Sequence, residues 1–72
     1  MKTFNRANLL EARLAQDLTQ LEVAIAMRQL GVNIDPSTLS NWESGAGCPQ
    51  IDVLPVLVKV LKIEIDDLFD GR

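Results

Sequence analysis

The chain has 72 residues, a formal net charge of −3 and 47% hydrophobic residues. This length suffices for one domain, expected over residues 1–72, and the apolar fraction favours a folded core over disorder. Histidine is absent and Cys48 is the one cysteine, which excludes an internal disulfide and removes the commonest catalytic base. We therefore expect neither an enzyme nor a cofactor. No apolar run approaches the ~20 residues of a membrane span, and a signal-peptide pattern is missing from residues 1–8, so a cytoplasmic protein is expected.

Helical periodicity begins in the N-terminal part of the chain. The first predicted helix covers about residues 5–16, with spacings of three and four placing Leu9, Leu10, Arg13 and Leu14 on one face. Thr19 and Glu22 have the spacing of a capping box, which predicts the start of a second helix. This second helix is expected to end near Gly31.

Three further helices are predicted in the second half of the chain. Asp35 suits an N-cap and is followed by a proline at the first helical position, which predicts a short third helix over about residues 36–44. A fourth helix is expected over about residues 51–62. Pro55 is tolerated only in its first turn, which favours Asp52 as the effective N-cap or a distorted first turn. A last short helix is expected over residues 65–69. The predicted fold class is thus all-α, a compact five-helix bundle without strands.

Three segments, in this order and spacing, resemble the Cro/phage-repressor family of helix-turn-helix domains: LLEARLAQDLTQLEVA, STLSNWESG and IDVLPVLVKVLKIEIDDLF. The resemblance covers residues 8–69. It implies a lambda-repressor-like bundle in which helices two and three form the helix-turn-helix and helix three enters the DNA major groove. The implied activity is that of a sequence-specific, repressor-like transcriptional regulator that binds double-stranded DNA.

The resemblance also assigns roles to individual residues. Gln20 would hold a DNA phosphate at the start of the second helix, whereas Arg13 and Glu43 would form a buried ion pair that ties the first helix to the recognition helix. The implied DNA-contacting positions on the recognition helix are Ser37, Thr38, Ser40, Asn41 and Ser44. Among them Asn41 is the best base-reading candidate, because an asparagine amide can pair bidentately with adenine. The same residues would otherwise be an ordinary polar helix face.

The sequence departs from the family pattern in charge and in length. Relatives commonly carry basic residues at the positions of 46–48, where this loop is neutral, so its backbone N–H groups are left to contact phosphate. The remaining basic candidates are Lys2, Arg6 and Arg28. About five extra residues between Gln20 and Leu39 lengthen the second helix and the following turn.

The predicted fourth helix has more apolar residues than one buried stripe needs. Those left over are Val53, Val56, Val60 and Ile63. A helix that is apolar nearly all round is either enclosed or covered by a partner, so these residues predict a homodimer interface; deeper burial of the helix is the alternative.

A second function class remains open beside DNA binding. The acidic net charge and the neutral loop weaken electrostatic attraction to phosphate. The chain could then be a protein-interaction module, antirepressor or antitoxin-like, that keeps the fold and binds a protein partner. The acidic residues near the C-terminus fit no cation-binding loop, and Cys48 lacks an activating neighbour, so no metal site is expected.

Overall fold

Two short strands bring the ends of the described chain together. The computed structural model describes residues 3–70. Its elements are β1 (Thr3–Phe4), α1 (Arg6–Ala15), α2 (Gln20–Gln29), α3 (Pro36–Ser44), α4 (Leu54–Leu61), a 3₁₀ turn (Ile65–Leu68) and β2 (Phe69–Asp70). β1 and β2 pair antiparallel, with Phe4 opposite Phe69. The two phenylalanine rings meet edge to face, 6.0 Å apart, an arrangement that stabilises aromatic pairs.

The fold is mostly helical, but the predicted five helices without strands are wrong. Residues 3–70 contain four α-helices and a two-stranded sheet. The fifth predicted helix is a 3₁₀ turn, because four residues are too few to propagate an α-helix. Its first turn is closed by Asp67, whose carboxylate accepts the Glu64 N–H at 2.9 Å. The strands were missed because two residues show no alternation of apolar and polar positions.

Local capping signals place the starts of the helices. The Thr19 hydroxyl accepts the Glu22 N–H at 3.1 Å and the Glu22 carboxylate accepts the Thr19 N–H at 2.9 Å, which confirms the predicted capping box. α3 begins at Pro36 as predicted, although the Asp35 side chain makes no capping hydrogen bond. α4 begins at residue 54 rather than 51. Pro55 lies in the first turn of α4, and because it has no N–H to donate to the carbonyl four residues back, it disfavours a start as early as residue 51.

One apolar cluster joins all four helices and the 3₁₀ turn. Its buried members are Leu9, Val23, Met27, Leu39, Trp42, Leu54, Leu57, Leu61 and Leu68. α1 and α2 both pack against α3, and α4 packs against α2. Leu39 and Trp42 lie three residues apart on α3, so one face of this helix is fixed in the core. The opposite face is left at the surface.

Asp17, in the turn after α1, has a strained backbone conformation that a glycine would relieve. Asp17 has φ 60, a left-handed conformation that costs an L-residue about 1–2 kcal/mol and glycine almost nothing. Asp17→Gly is therefore expected to stabilise the fold by about 0.5–1 kcal/mol, since the greater chain entropy of glycine offsets part of the relief. The midpoint of urea unfolding measures the change. Asp17→Ala removes the same charge but keeps the strain, so an equal gain in both variants would contradict the backbone explanation.

Candidate nucleic-acid interface

A buried ion pair fixes α3 against α1. Arg13 Nε donates to Glu43 Oε2 at 2.6 Å and Arg13 Nη2 donates to Glu43 Oε1 at 3.1 Å. The two side chains are only 12% and 6% exposed. A third guanidinium donor, Nη1, reaches the Leu18 carbonyl oxygen at 2.7 Å. This two-pronged geometry adds directionality to the charge attraction, so the orientation of α3 is set by more than apolar packing.

Gln20 joins the same network. It is the first residue of α2, is half-buried, and donates from Nε2 to Glu43 Oε1 at 3.0 Å. Sequence reasoning assigned this side chain to phosphate and did not foresee the bond to Glu43. Its register with Glu43 depends on how α2 crosses α3, which no local pattern reveals.

The start of α2 also presents backbone donors. Within the described residues, the N–H groups of Gln20 and Leu21 find no acceptor, whereas those of Glu22 and Val23 bond to Thr19. Unsatisfied N–H groups at the positive end of a helix form an anion site. This end of α2 lies beside α3, because the Gln20 side chain contacts Glu43.

The surface of α3 carries a stripe of three exposed polar residues. Ser37, Asn41 and Ser44 are exposed and follow one another at spacings of four and three, so they share one helix face. Thr38 and Ser40, the other two predicted contacts, are half-buried and lie beside this stripe. The Ser44 hydroxyl donates to the Asn41 carbonyl at 3.1 Å. The Asn41 amide makes no hydrogen bond with any residue in 3–70 and points to solvent.

The first backbone N–H groups of the loop after α3 donate hydrogen bonds within the protein. Gly45 has φ 88 and its N–H donates to the Asn41 carbonyl. The N–H groups of Ala46 and Gly47 turn back to the same oxygen at 3.0 and 3.3 Å. A glycine in this left-handed position commonly directs loop donors toward the helix end. These three N–H groups are therefore engaged within the protein, and phosphate contact by the loop backbone stays a prediction for the remaining N–H groups.

The residues predicted for a dimer interface are only partly exposed. Val53, Val56, Val60 and Ile63 are each half-buried and pack against the core cluster. More apolar surface lies elsewhere: Ile51 is 84% exposed, in the turn that replaces the predicted first turn of α4. It lines an apolar groove together with Leu54, Pro55, Ile65 and Phe69. Sequence reasoning missed this groove because it placed residue 51 inside the helix.

Other sequence expectations concern cations and bound groups. Lys2, a basic candidate, lies outside the described residues. The Arg28 Nε donates to Asn33 Oδ1 at 3.2 Å, across the lengthened turn between α2 and α3. No group of three histidine, cysteine, aspartate or glutamate side chains in residues 3–70 could hold a metal ion. In that same stretch no helix is long and apolar enough to span a membrane.

An α2–turn–α3 unit with an exposed polar second helix defines the class of helix-turn-helix domains. A family model for helix-turn-helix domains of the Cro/C1 type matches residues 9–68. The chain belongs to this family, as its sequence pattern predicted, and the family is one of DNA-binding regulators. No curated protein and no solved structure gives a significant match to the chain.

Proposed function

We propose that the protein is a sequence-specific, repressor-like DNA-binding transcriptional regulator, in which α3 enters the major groove. The exposed stripe of Ser37, Asn41 and Ser44 carries the proposal. It is polar, lies opposite the buried residues of α3, and belongs to a helix fixed by the Arg13–Glu43 pair. A rigid element with short polar side chains suits base reading, because little ordering is needed on binding.

Each part of the interface has a distinct role in this proposal. The Asn41 amide reads a base, with adenine as the preferred partner because it offers an adjacent donor and acceptor. Ser37 and Ser44 contact base edges or phosphates. Thr38 and Ser40 contact the flanking sugar-phosphate backbone of the DNA. The start of α2 holds a phosphate through the N–H groups of residues 20 and 21. The Gln20 amide, held by Glu43 at 3.0 Å, has a second N–H to add to that contact.

A homodimer is part of the same proposal. Family members that bind two half-sites separate them by about 34 Å, one turn of DNA. The exposed portions of Val53, Val56, Val60 and Ile63 would form the contact between protomers. The groove that contains Ile51 offers further apolar surface for it. Sedimentation of the free protein over a range of concentrations measures this association.

Binding to random duplex DNA tests the basic activity. Non-specific binding rests on phosphate neutralisation, so its affinity should fall steeply between 50 and 200 mM salt and lie near 1–100 µM at physiological ionic strength. A folded protein that shows no binding even at low salt would contradict the proposal.

Asn41→Ala tests base reading. The loss of a bidentate amide contact is expected to weaken binding to a selected operator by about 1–3 kcal/mol, or about 5- to 150-fold, with little effect on random DNA. Equilibrium titrations of both duplexes measure the difference. Gln29→Ala is the matched control, since it removes an exposed amide from α2 beside α4. Equal losses on operator and random DNA would contradict a base-reading role for Asn41.

A protein-interaction module is the second candidate function. The observation in its favour is the apolar groove around Ile51 and Ile65, which are 84% and 40% exposed. A groove of this kind suits an apolar segment of another protein. Capture of a protein partner, combined with no salt-sensitive DNA binding, would favour this function over the first.

A further inference from the structure

The loop after α3 has no cation and its first three backbone N–H groups are engaged, which reduces the phosphate binding that it can offer. Residues 45–50 carry no formal charge. The N–H groups of Gly45, Ala46 and Gly47 already donate to the Asn41 carbonyl. A recognition helix positioned by phosphate contacts at one end alone could pivot in the groove, because such contacts set its register and orientation. A cation from another element would strengthen the contact at this end.

Arg6 lies at this position. It is the first residue of α1 and is exposed, yet its side chain crosses the loop at Gly45. A Cβ atom on Gly45 would lie 3.0 Å from Arg6 Cδ and 3.2 Å from Arg6 Nε. The missing side chain of Gly45 thus leaves the space through which the arginine passes. Arg6 and the end of the recognition helix are neighbours because of this contact.

The guanidinium of Arg6 has no partner among the residues that the structure describes. Within residues 3–70 its side chain forms no ion pair and no hydrogen bond. The other cations of this stretch are placed differently: Arg13 is paired with Glu43, Arg28 is bonded to Asn33, and Lys59 and Lys62 line a groove between α4 and α2. Among the cations of residues 3–70, Arg6 is therefore the unpaired one beside the C-terminal end of α3.

We propose that Arg6 binds a DNA phosphate at the C-terminal end of α3, in place of a basic loop residue, and that Gly45 positions it. The inference rests on the proposed DNA-binding function. An arginine suits this position, since its planar fork can hold two phosphate oxygens at once and its stem can lie flat on a glycine backbone. Together with the start of α2, Arg6 gives the recognition helix a phosphate contact at each end.

The salt dependence of DNA binding tests the assignment. Arg6→Gln should reduce the slope of log affinity against log salt by about 0.9, the value for one released phosphate contact. It should also weaken binding to operator and random DNA alike, by roughly 3- to 10-fold near 100 mM salt. Lys59→Gln is the matched control: it removes the same charge from an exposed site on α4 and should leave the slope unchanged.

Gly45→Ala tests whether DNA binding depends on the position of the Arg6 side chain as well as on its charge. The new methyl group would displace the arginine stem, so the slope should fall although Arg6 is still present. Gly31→Ala is the control for backbone strain, because Gly31 has φ 96 and nothing within 4 Å of an added Cβ. Gly31→Ala should lower the free energy of unfolding by a similar amount and leave DNA binding unchanged. In an Arg6→Gln background, Gly45→Ala should cause no further loss of affinity.

The outcomes distinguish the two proposals. If the folded wild-type protein shows no salt-sensitive binding to duplex DNA, the proposed function fails and this assignment fails with it. If the wild type binds but Arg6→Gln keeps the full slope and affinity, the assignment to Arg6 alone is overturned. Far-UV circular dichroism of each variant shows that a loss of binding is not a loss of folding.

Discussion

Replacing Glu43 by alanine is expected to cost about 3–5 kcal/mol of folding free energy, because it leaves the buried charge of Arg13 without a partner. The Arg13 side chain is 12% exposed and cannot recover full hydration without moving α1 away from α3. The Gln20 amide would lose its acceptor as well. A domain of this size is stabilised by only about 5–10 kcal/mol. Urea unfolding followed by circular dichroism should therefore show a large fall in the midpoint.

Two further variants identify the cause of the Glu43→Ala effect. Glu11→Ala removes an exposed carboxylate from α1 and should change stability by less than about 0.5 kcal/mol. Combining Arg13→Met with Glu43→Leu removes both buried charges and should recover most of the loss, since an apolar pair of similar volume can replace a buried ion pair. A cost below about 1 kcal/mol for Glu43→Ala would show that the pair is effectively solvated and does not fix α3.

The pairing of Glu43 also bears on DNA binding by an acidic chain. Glu43 is a carboxylate on the proposed recognition helix, where an unpaired negative charge would repel phosphate. Its two oxygens accept hydrogen bonds from Arg13 and Gln20, and it is only 6% exposed. The net charge of −3 therefore overstates the negative charge at the interface, since the field there depends on the placement of groups rather than their sum.

The starts of α2 and α3 could be predicted from sequence because neighbouring residues set them. The Thr19–Glu22 capping box and the Asp35–Pro36 pair act within one turn, and both marked helix starts correctly. The β1–β2 pair could not be predicted in this way. Its residues are more than sixty positions apart and meet only when the helices have packed. A strand of two residues carries no periodic signal of its own.

The sequence predicted which residues of the candidate interface face outward. It did not predict which of their neighbouring donors are already hydrogen-bonded. The spacing of Ser37, Asn41 and Ser44 follows directly from the helical period. Which donors are already engaged depends on the path of the chain around them. A glycine after a helix does signal a left-handed turn that directs N–H groups back to the helix, so the engagement of Gly45 was accessible in principle. The contact between Arg6 and Gly45 was not, because it joins two elements that are distant in sequence.

The second large effect is expected on the buried face of α3, the proposed recognition helix. Leu39 is fully buried and belongs to the core cluster that joins the four helices. Leu39→Ala removes three buried carbon atoms and leaves a cavity, so it should cost about 2–5 kcal/mol of folding free energy. Urea unfolding measures this loss. Saturating DNA should recover part of it, because a ligand that binds only the folded state stabilises that state.

Comparison of Leu39→Ala with Asn41→Ala tests whether one face of α3 stabilises the fold while the opposite face reads DNA. Asn41 is exposed and its side chain is outside the core, so its replacement should change folding by less than about 0.5 kcal/mol while weakening operator binding. Leu39→Ala should do the reverse: the fraction that remains folded should discriminate operator from random DNA as the wild type does. If Leu39→Ala also abolished that discrimination in its folded fraction, the core and the reading face of α3 would not be independent. The rigid positioning of Asn41 would then depend on the packing beneath it as much as on the ion pair at Glu43.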